Sequence, residues 1–353
     1  MGDTLRIATY NAGLSRKGPG LLLSDIEKGE DAQIDAAARV IAEVSPDILL
    51  LTSFDYDRRN VALAAFAEVL ETHGSAYPYL FALRPNTGRS SGLDLDGDGR
   101  LGGPGDAQGF GYFAGQGGMA VLSRLPIAEA EARDFSDFLW RDLPGARLPE
   151  AGGAPFPSAE AQAAQRLSST GHWDVPVILP SGDRLTLLAW FATPPVFDGS
   201  EDRNGKRNHD EATFWAALLE DRLPFDPPSA PFVLLGDANL DPADGDGLGE
   251  AMTALLTHKL LQDTRPESAG GREAAHRQAG VNAQHEGDPA LDTADWSDAE
   301  GPGNLRVDYV LPSKDLVVTA SGVYWPTGGD PMAELAAAAS DHRLVWIDIE
   351  LPD

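Results

Sequence analysis

The chain has 353 residues, and at about 150 residues per domain this length fits two domains or one large sandwich or barrel. Hydrophobic residues make up 42%, which excludes wholesale disorder. A formal charge of −28 disfavours duplex DNA and anionic membranes as partners, because both repel it. No apolar run reaches the roughly 18 residues of a membrane span. Cysteine is absent, which excludes disulfides, thiolate zinc sites and cysteine nucleophiles. Met1-Gly2-Asp3 leads directly into an apolar stretch with no signal core. The compartment stays open between cytoplasmic and, with a leader removed, periplasmic or secreted. The oligomeric state stays open too.

Residues 5–10 alternate apolar and polar side chains and read as a strand. Residues 31–44 put Ile34, Ile41 and Val44 on one helical face, and Pro46 ends that helix by disfavouring the α conformation at Ser45. The run ILLL at 48–51 reads as a buried strand, and 58–72 as a helix bearing Leu63, Phe66 and Leu70, with Gly74 past its end. Further strands are expected at 119–123 and 185–191. Asn208 is positioned to cap a helix over 209–223. Strands follow at 231–235, 307–311, 316–324 and 344–349. This interspersion gives an α/β or α+β class, without internal repeats. Two stretches, 134–170 and 262–304, lack a period and are expected as long loops shaping a pocket at one end of the molecule.

Four constellations carry possible chemistry. The first is GDAN at 236–239, where Asp237 and Asn239 end a buried strand. The carboxylate can activate water and the amide can donate to an oxyanion; a plain turn fits the same residues. The second is Ser340-Asp341-His342 before the last strand. The third is Asp308, a carboxylate inside an apolar strand, which needs a partner such as His342 if buried and none if that strand lies at a solvated edge. The fourth is Asn11, at the end of the first strand.

Taken together, TYNAGL, PDILLLTSFDYD, GQGGMAVLSRLPI, GDANLDPADGDG, RVDYVLP and SDHRLV resemble the endonuclease/exonuclease/phosphatase superfamily, the DNase I-like metal-dependent phosphoesterases. Further phrases, among them EDRNGKRNHDEATFW, point to a bacterial branch of it. The resemblance implies one domain over 1–353, built as a four-layer α/β sandwich of two packed mixed sheets. It implies Asp237 as general base, Asn239 against the phosphoryl oxygens, and His342 on the phosphate with Asp308 orienting its ring. It also implies Asn11 and Asp341 as ligands of a divalent metal, magnesium or manganese.

Two positions depart from the family pattern. Ser53 stands where the family carries its metal-binding glutamate, and Asp55 or Asp57 is the candidate substitute, with Asp55 two residues further along the strand. Phe191 stands where many members carry a histidine before TPP. His209 is the candidate replacement imidazole and Trp140 a candidate pocket wall. The bland alternatives are the first turn of a helix for His209 and surface packing for Trp140.

Separately, Asp94, Asp96 and Asp98 occupy loop positions one, three and five of a calcium-type loop with glycine at six. The Arg100 carbonyl and Asp106 would complete a structural calcium shell; the alternative is an acidic solvated turn. The sequence reading is therefore a metal-dependent hydrolase of a small or soluble phosphoester with a partly degenerate site. The second reading is a non-catalytic binding protein on the same fold.

Overall fold

The computed structural model describes residues 4–351. Met1-Gly2-Asp3, read above as the lead-in to the first strand, lie outside the described residues. The first half of the chain runs β1 (Thr4–Asn11), α1 (Leu21–Lys28), α2 (Ala32–Val44), β2 (Ile48–Phe54), α3 (Val61–Thr72), β3 (Tyr79–Phe81), β4 (Gly118–Ser123) and β5 (Arg133–Asp134). A small ribbon, β6 (Glu150–Ala151) and β7 (Ala154–Pro155), then leads through α4 (Ala159–Ala164) to β8 (Gly171–Ile178) and β9 (Arg184–Phe191). The remainder is α5 (Arg203–Leu219), β10 (Phe232–Asp237), α6 (Glu250–Leu256), α7 (Ala269–Gln278), β11 (Ala294–Asp295), β12 (Asn304–Leu305), β13 (Asp308–Pro312), β14 (Val318–Tyr324), α8 (Ala333–Ala339) and β15 (Leu344–Glu350).

The strands form two mixed sheets, ordered β14-β15-β1-β2-β4-β3 and β13-β10-β9-β8-β5. Apolar residues on both faces of the central strands explain the layering. Ile48 and Leu50 of β2 pack between the sheets against Val175, Leu187, Val233 and Val310. Leu49 and Leu51, one residue out of phase, meet Ile34 and Ile41 of α2 and Phe66 of α3. On the second sheet, Leu188, Trp190 and Leu234 face outward to Phe214 and Trp215 of α5 and Met252 of α6. The order is helix, sheet, sheet, helix, the four-layer α/β sandwich that the family resemblance implies.

Several elements were not expected, α1, α4, α6, α7 and α8 among them, and two differences have a clear physical reason. The helix expected from 209 begins at Arg203, so Asn208 lies inside it and caps nothing. Polar residues there take core-facing positions: Arg207 donates to the carbonyls of Leu167 and Ser168, and Glu211 accepts from the backbone N–H groups of Ser169 and Thr193. A hydrophobic period cannot register a helix face buried through hydrogen bonds. The second is β8, an unexpected strand. Its Pro176 argues against a central strand, but β5 pairs only with Trp173 and Asp174, so Pro176 lies beyond that partner.

The stretch 134–170 is not a free loop. Phe135, Trp140, Leu143 and Leu167 enter the core between the second sheet and α5. The stretch 262–304 contains α7 and the β11-β12 ribbon, which reaches back to the start of β15 through an Ala294–His342 bridge.

Candidate active site

One edge of the sandwich collects the ends that matter. Parallel pairing brings the carboxyl ends of β1 and β2 side by side, Asn11 opposite Thr52, and those of β9 and β10, Phe191 opposite Asp237. Antiparallel β13 begins at the same edge, so Asp308 lies directly across from Asp237. Two like charges paired in this way repel each other. His342, two residues before β15, relieves that repulsion. Its Nδ1 is 2.8 Å from Asp308 Oδ2 and 3.9 Å from Asp237 Oδ2.

Each remaining contact fixes this group. Asn11 Nδ2 donates to Asp237 Oδ2 at 2.8 Å and lies 3.4 Å from His342 Nε2. The backbone N–H of Asn239 donates to Asp237 Oδ1 at 2.8 Å. The Asn239 amide donates to the Ala192 carbonyl at 2.9 Å. The Trp296 ring meets His342 edge-on at 5.3 Å. The Ser340 hydroxyl donates to the Asn11 carbonyl and accepts from the His342 N–H, so β1 and the approach to β15 are tied together.

Burial sets the electrostatics. It pushes Asp237 up to about 7, helped by the Asp308 charge and opposed by His342 and by the Asn11 and Asn239 hydrogen bonds. Burial disfavours the imidazolium of His342, but Asp308 and Asp237 outweigh it and raise His342 to about 9. The arrangement therefore pairs a carboxylate able to hold a proton near neutral pH with a charged ring beside it.

The other side of the cleft is built differently. Ser53 sits at a bulge between β2 and β4 with φ +56, and presents a neutral hydroxyl. Asp55 is buried with both oxygens committed. Oδ1 accepts from the Ser15 hydroxyl at 2.7 Å and the Gly117 N–H at 2.9 Å, and Oδ2 from the Arg16 N–H at 2.8 Å. Burial raises its pKa against those donors. Asp341 is exposed. Asn11 Oδ1 takes the Gly13 N–H at 3.2 Å. The cleft itself is about 570 Å³, lined by Asn11, Asp341 and His342 and also by the cation Arg16. The Arg16 guanidinium is held by Asp25, Asp31 and Gln33. A hard divalent cation needs several carboxylate oxygens. The donors on this side do not fit one held tightly.

The other candidates lie elsewhere. Trp140 is 1% exposed and its indole donates to Asp210 at 2.7 Å, so it has no surface to offer a substrate. His209 shares that Asp210 through Nδ1 at 2.8 Å, and its Nε2 lies 3.9 Å from Glu250 of α6. Nothing there joins it to the Asp237 group. Carboxylates of Asp94, Asp96 and Asp106 converge within 4.8 Å. Burial and the neighbouring acids raise Asp96. Asp98 accepts from the Arg100 N–H at 2.7 Å.

Sequence reasoning missed Thr293. Its hydroxyl donates to Asp308 Oδ2 at 2.9 Å and accepts the N–H groups of Val307 and Asp308. It comes from the stretch without a period, and a single threonine there gives no signal.

Comparisons with known proteins agree with this fold. The structure is similar to an endonuclease/exonuclease/phosphatase from Beutenbergia cavernae, with TM-score 0.56 and 19% identity over 99% of this chain and 72% of that one. It is also similar to an endonuclease/exonuclease/phosphatase family protein from Leptotrichia buccalis, with TM-score 0.52 and 18% identity over 98% of this chain and 100% of that one. At these identities the likeness is one of fold. No curated protein matches the chain. The model of the Endonuclease/Exonuclease/phosphatase family, whose members are metal-dependent phosphoesterases, matches residues 8–342. That span takes in every strand end that builds the cleft, and the chain belongs to this family.

Proposed function

We propose that the protein hydrolyses a small or soluble phosphoester, with Asp237, His342, Asp308, Asn11 and Asn239 as its working groups and a weakened metal side. The observation that carries this reading is the Asp237–His342–Asp308 group, bonded at 2.8 Å to Asn11 and through the ring to Asp308. In the proposed reaction a water oxygen attacks phosphorus in line and loses its proton to Asp237. The bond from phosphorus to the leaving oxygen breaks, and that oxygen takes a proton from solvent. His342 faces the developing charge on the phosphoryl oxygens, and Asp308 holds the ring. Asn239 steadies the same oxygens.

Magnesium or manganese would find only Asn11 and Asp341 as family-type ligands here, and no step above depends on it. The acidic surface, net −28, favours a compact substrate over duplex DNA. Among the described residues no helix is long and apolar enough to cross a membrane. Calcium on Asp94, Asp96 and Asp106, with Asp98 and the Arg100 carbonyl, belongs to this proposal as a structural ion.

A second reading, phosphoester binding without turnover, draws on Ser53 and on the committed oxygens of Asp55. Two measurements decide between them. Hydrolysis of bis(p-nitrophenyl) phosphate and p-nitrophenyl phosphate is followed for wild type and Asp237→Asn, with and without manganese. Manganese binding by wild type and Asp341→Ala is followed by calorimetry. Turnover lost in Asp237→Asn supports the hydrolase. No turnover in wild type under any condition gives the lead to the binding protein.

A further inference from the structure

The inward face of α5 holds a polar group that packing alone does not call for. Asn208 lies inside the helix and is fully buried. Asparagine is a poor residue there, because its amide competes with the helix's own hydrogen bonds and needs partners once water is gone. Its Nδ2 has two, donating to the Thr193 carbonyl at 2.7 Å and to the Ala238 carbonyl at 2.8 Å. No described residue donates to its buried Oδ1. Leucine has nearly the same shape and would fill the space without that orphaned acceptor. What the amide adds is its pair of donors.

Both carbonyls belong to the frame of the reaction centre. Ala238 is the residue between Asp237 and Asn239. Thr193 follows Ala192, which makes two bonds to the same turn. The Ala192 N–H donates to the Asp237 carbonyl at 3.0 Å, and the Ala192 carbonyl accepts from the Asn239 amide at 2.9 Å. Three residues further along α5, Glu211 accepts the Thr193 N–H at 2.8 Å. The helix thus grips Thr193 by its N–H and by its carbonyl. The turn needs such a frame, because Asn239 has φ +48, in the left-handed region that side chains rarely adopt.

We propose, resting on the hydrolase reading above, that Asn208 is a positioning residue for the reaction. By holding Ala238 and Thr193 together it sets Asp237 and Asn239 at the spacing and angle that an attacking water and a phosphoryl group require. Without the amide, the two carbonyls lose their shared donor and face each other unpaired. The turn is then free to relax toward ordinary backbone angles, and the remaining N–H of the Asn239 amide moves with it.

The test compares wild type, Asn208→Leu, Asn239→Ala and the double variant in the full chain. For bis(p-nitrophenyl) phosphate with manganese, Asn208→Leu is expected to lower kcat ~100-fold, the scale of a misplacement of about 1 Å. KM should change little, because the displaced groups act on the transition state. In the Asn239→Ala background the same substitution should cost much less, since it acts through that turn. A purely structural role would give equal losses in both backgrounds. Hydrogen exchange supplies a readout that needs no turnover. The N–H groups of Ala192 and Asn239 should exchange ~10-fold faster or more in Asn208→Leu, while those in the middle of β10 keep their protection. Should Asn208→Leu fail to fold, Asn208→Ser, which keeps one donor, is measured in the same way, with smaller changes expected in both readouts. Unchanged exchange at Ala192 and Asn239 overturns the proposal. So does faster exchange throughout β10, or a kcat loss as large in Asn239→Ala as in wild type. Absence of turnover in wild type overturns the hydrolase reading instead, and the exchange rates then decide whether Asn208 holds the turn.

Discussion

The two sides of the cleft are made from the same kind of strand ends but solve different problems. At the ends of β10 and β13, two facing carboxylates are reconciled by one imidazole, whose residue also lines the cleft. At the end of β2, the buried Asp55 carboxylate clamps two loops through Ser15, Arg16 and Gly117. A carboxylate in the sequence is thus not a ligand until its other partners are counted. Asp237 also takes donors, from Asn11 and Asn239, but it faces a second acid across the sheet. Asp55 is held by the donors Ser15, Arg16 and Gly117.

The largest effect that would break this comparison is expected from His342→Ala. Removing the ring leaves Asp237 and Asp308 buried and opposed, at a cost of about 3–5 kcal/mol, measured by urea unfolding at pH 7. A much smaller loss would mean the two carboxylates are relieved in some other way. The pH dependence carries the same signature. His342 is raised from 6.5 to about 9, so the stability it gives is complete below pH 6.5 and lost as pH rises through 9. Asp237, raised from 3.8 to about 7, acts in the same sense at lower pH, its contribution lost as pH rises through 7. Wild-type stability should therefore decline from pH 6.5 to 9, and His342→Ala should flatten that decline.

The next effect tests the weakened side. The double substitution Ser53→Glu and Phe191→His places a carboxylate at the end of β2 and an imidazole beside Asp237 in the β9–β10 register. Manganese-dependent phosphodiester hydrolysis should rise about 100-fold, since Lewis-acid stabilisation is worth several kcal/mol. A folded double variant with no gain removes the premise that residues 53 and 191 are the missing groups.

How far the site could be read in advance follows the same division. Asp237, Asp308, His342 and Asn11 stand at strand ends in phrases that survive as sequence, and the apolar strands around them alternate faces cleanly. The partner expected for a buried Asp308 is the one it has. Asp55 and Trp140 were readable only as residue types. Their roles depend on partners that arrive from far along the chain, the Gly117 N–H that donates to Asp55 and the Asp210 carboxylate that accepts from Trp140. The start of α5 was hidden because its inward face is polar. Thr293 carried no pattern at all, since tertiary return of the loop alone places it.

Asp55→Asn and Asp341→Ala sharpen the comparison at its small end. Asp55→Asn keeps the shape but sets an amide against at least one of three donors, and a buried donor left unmatched costs about 1–3 kcal/mol. Chemical denaturation should detect that loss, with manganese binding unchanged if the carboxylate is only a clamp. Lost manganese binding at unchanged stability would return Asp55 to the ligand set. Asp341 is exposed, and no described residue donates to its side chain. Asp341→Ala should leave stability within about 0.5 kcal/mol. Any effect it has on manganese affinity then belongs to coordination and not to folding, which makes it the cleanest probe of whether the weakened side still holds an ion.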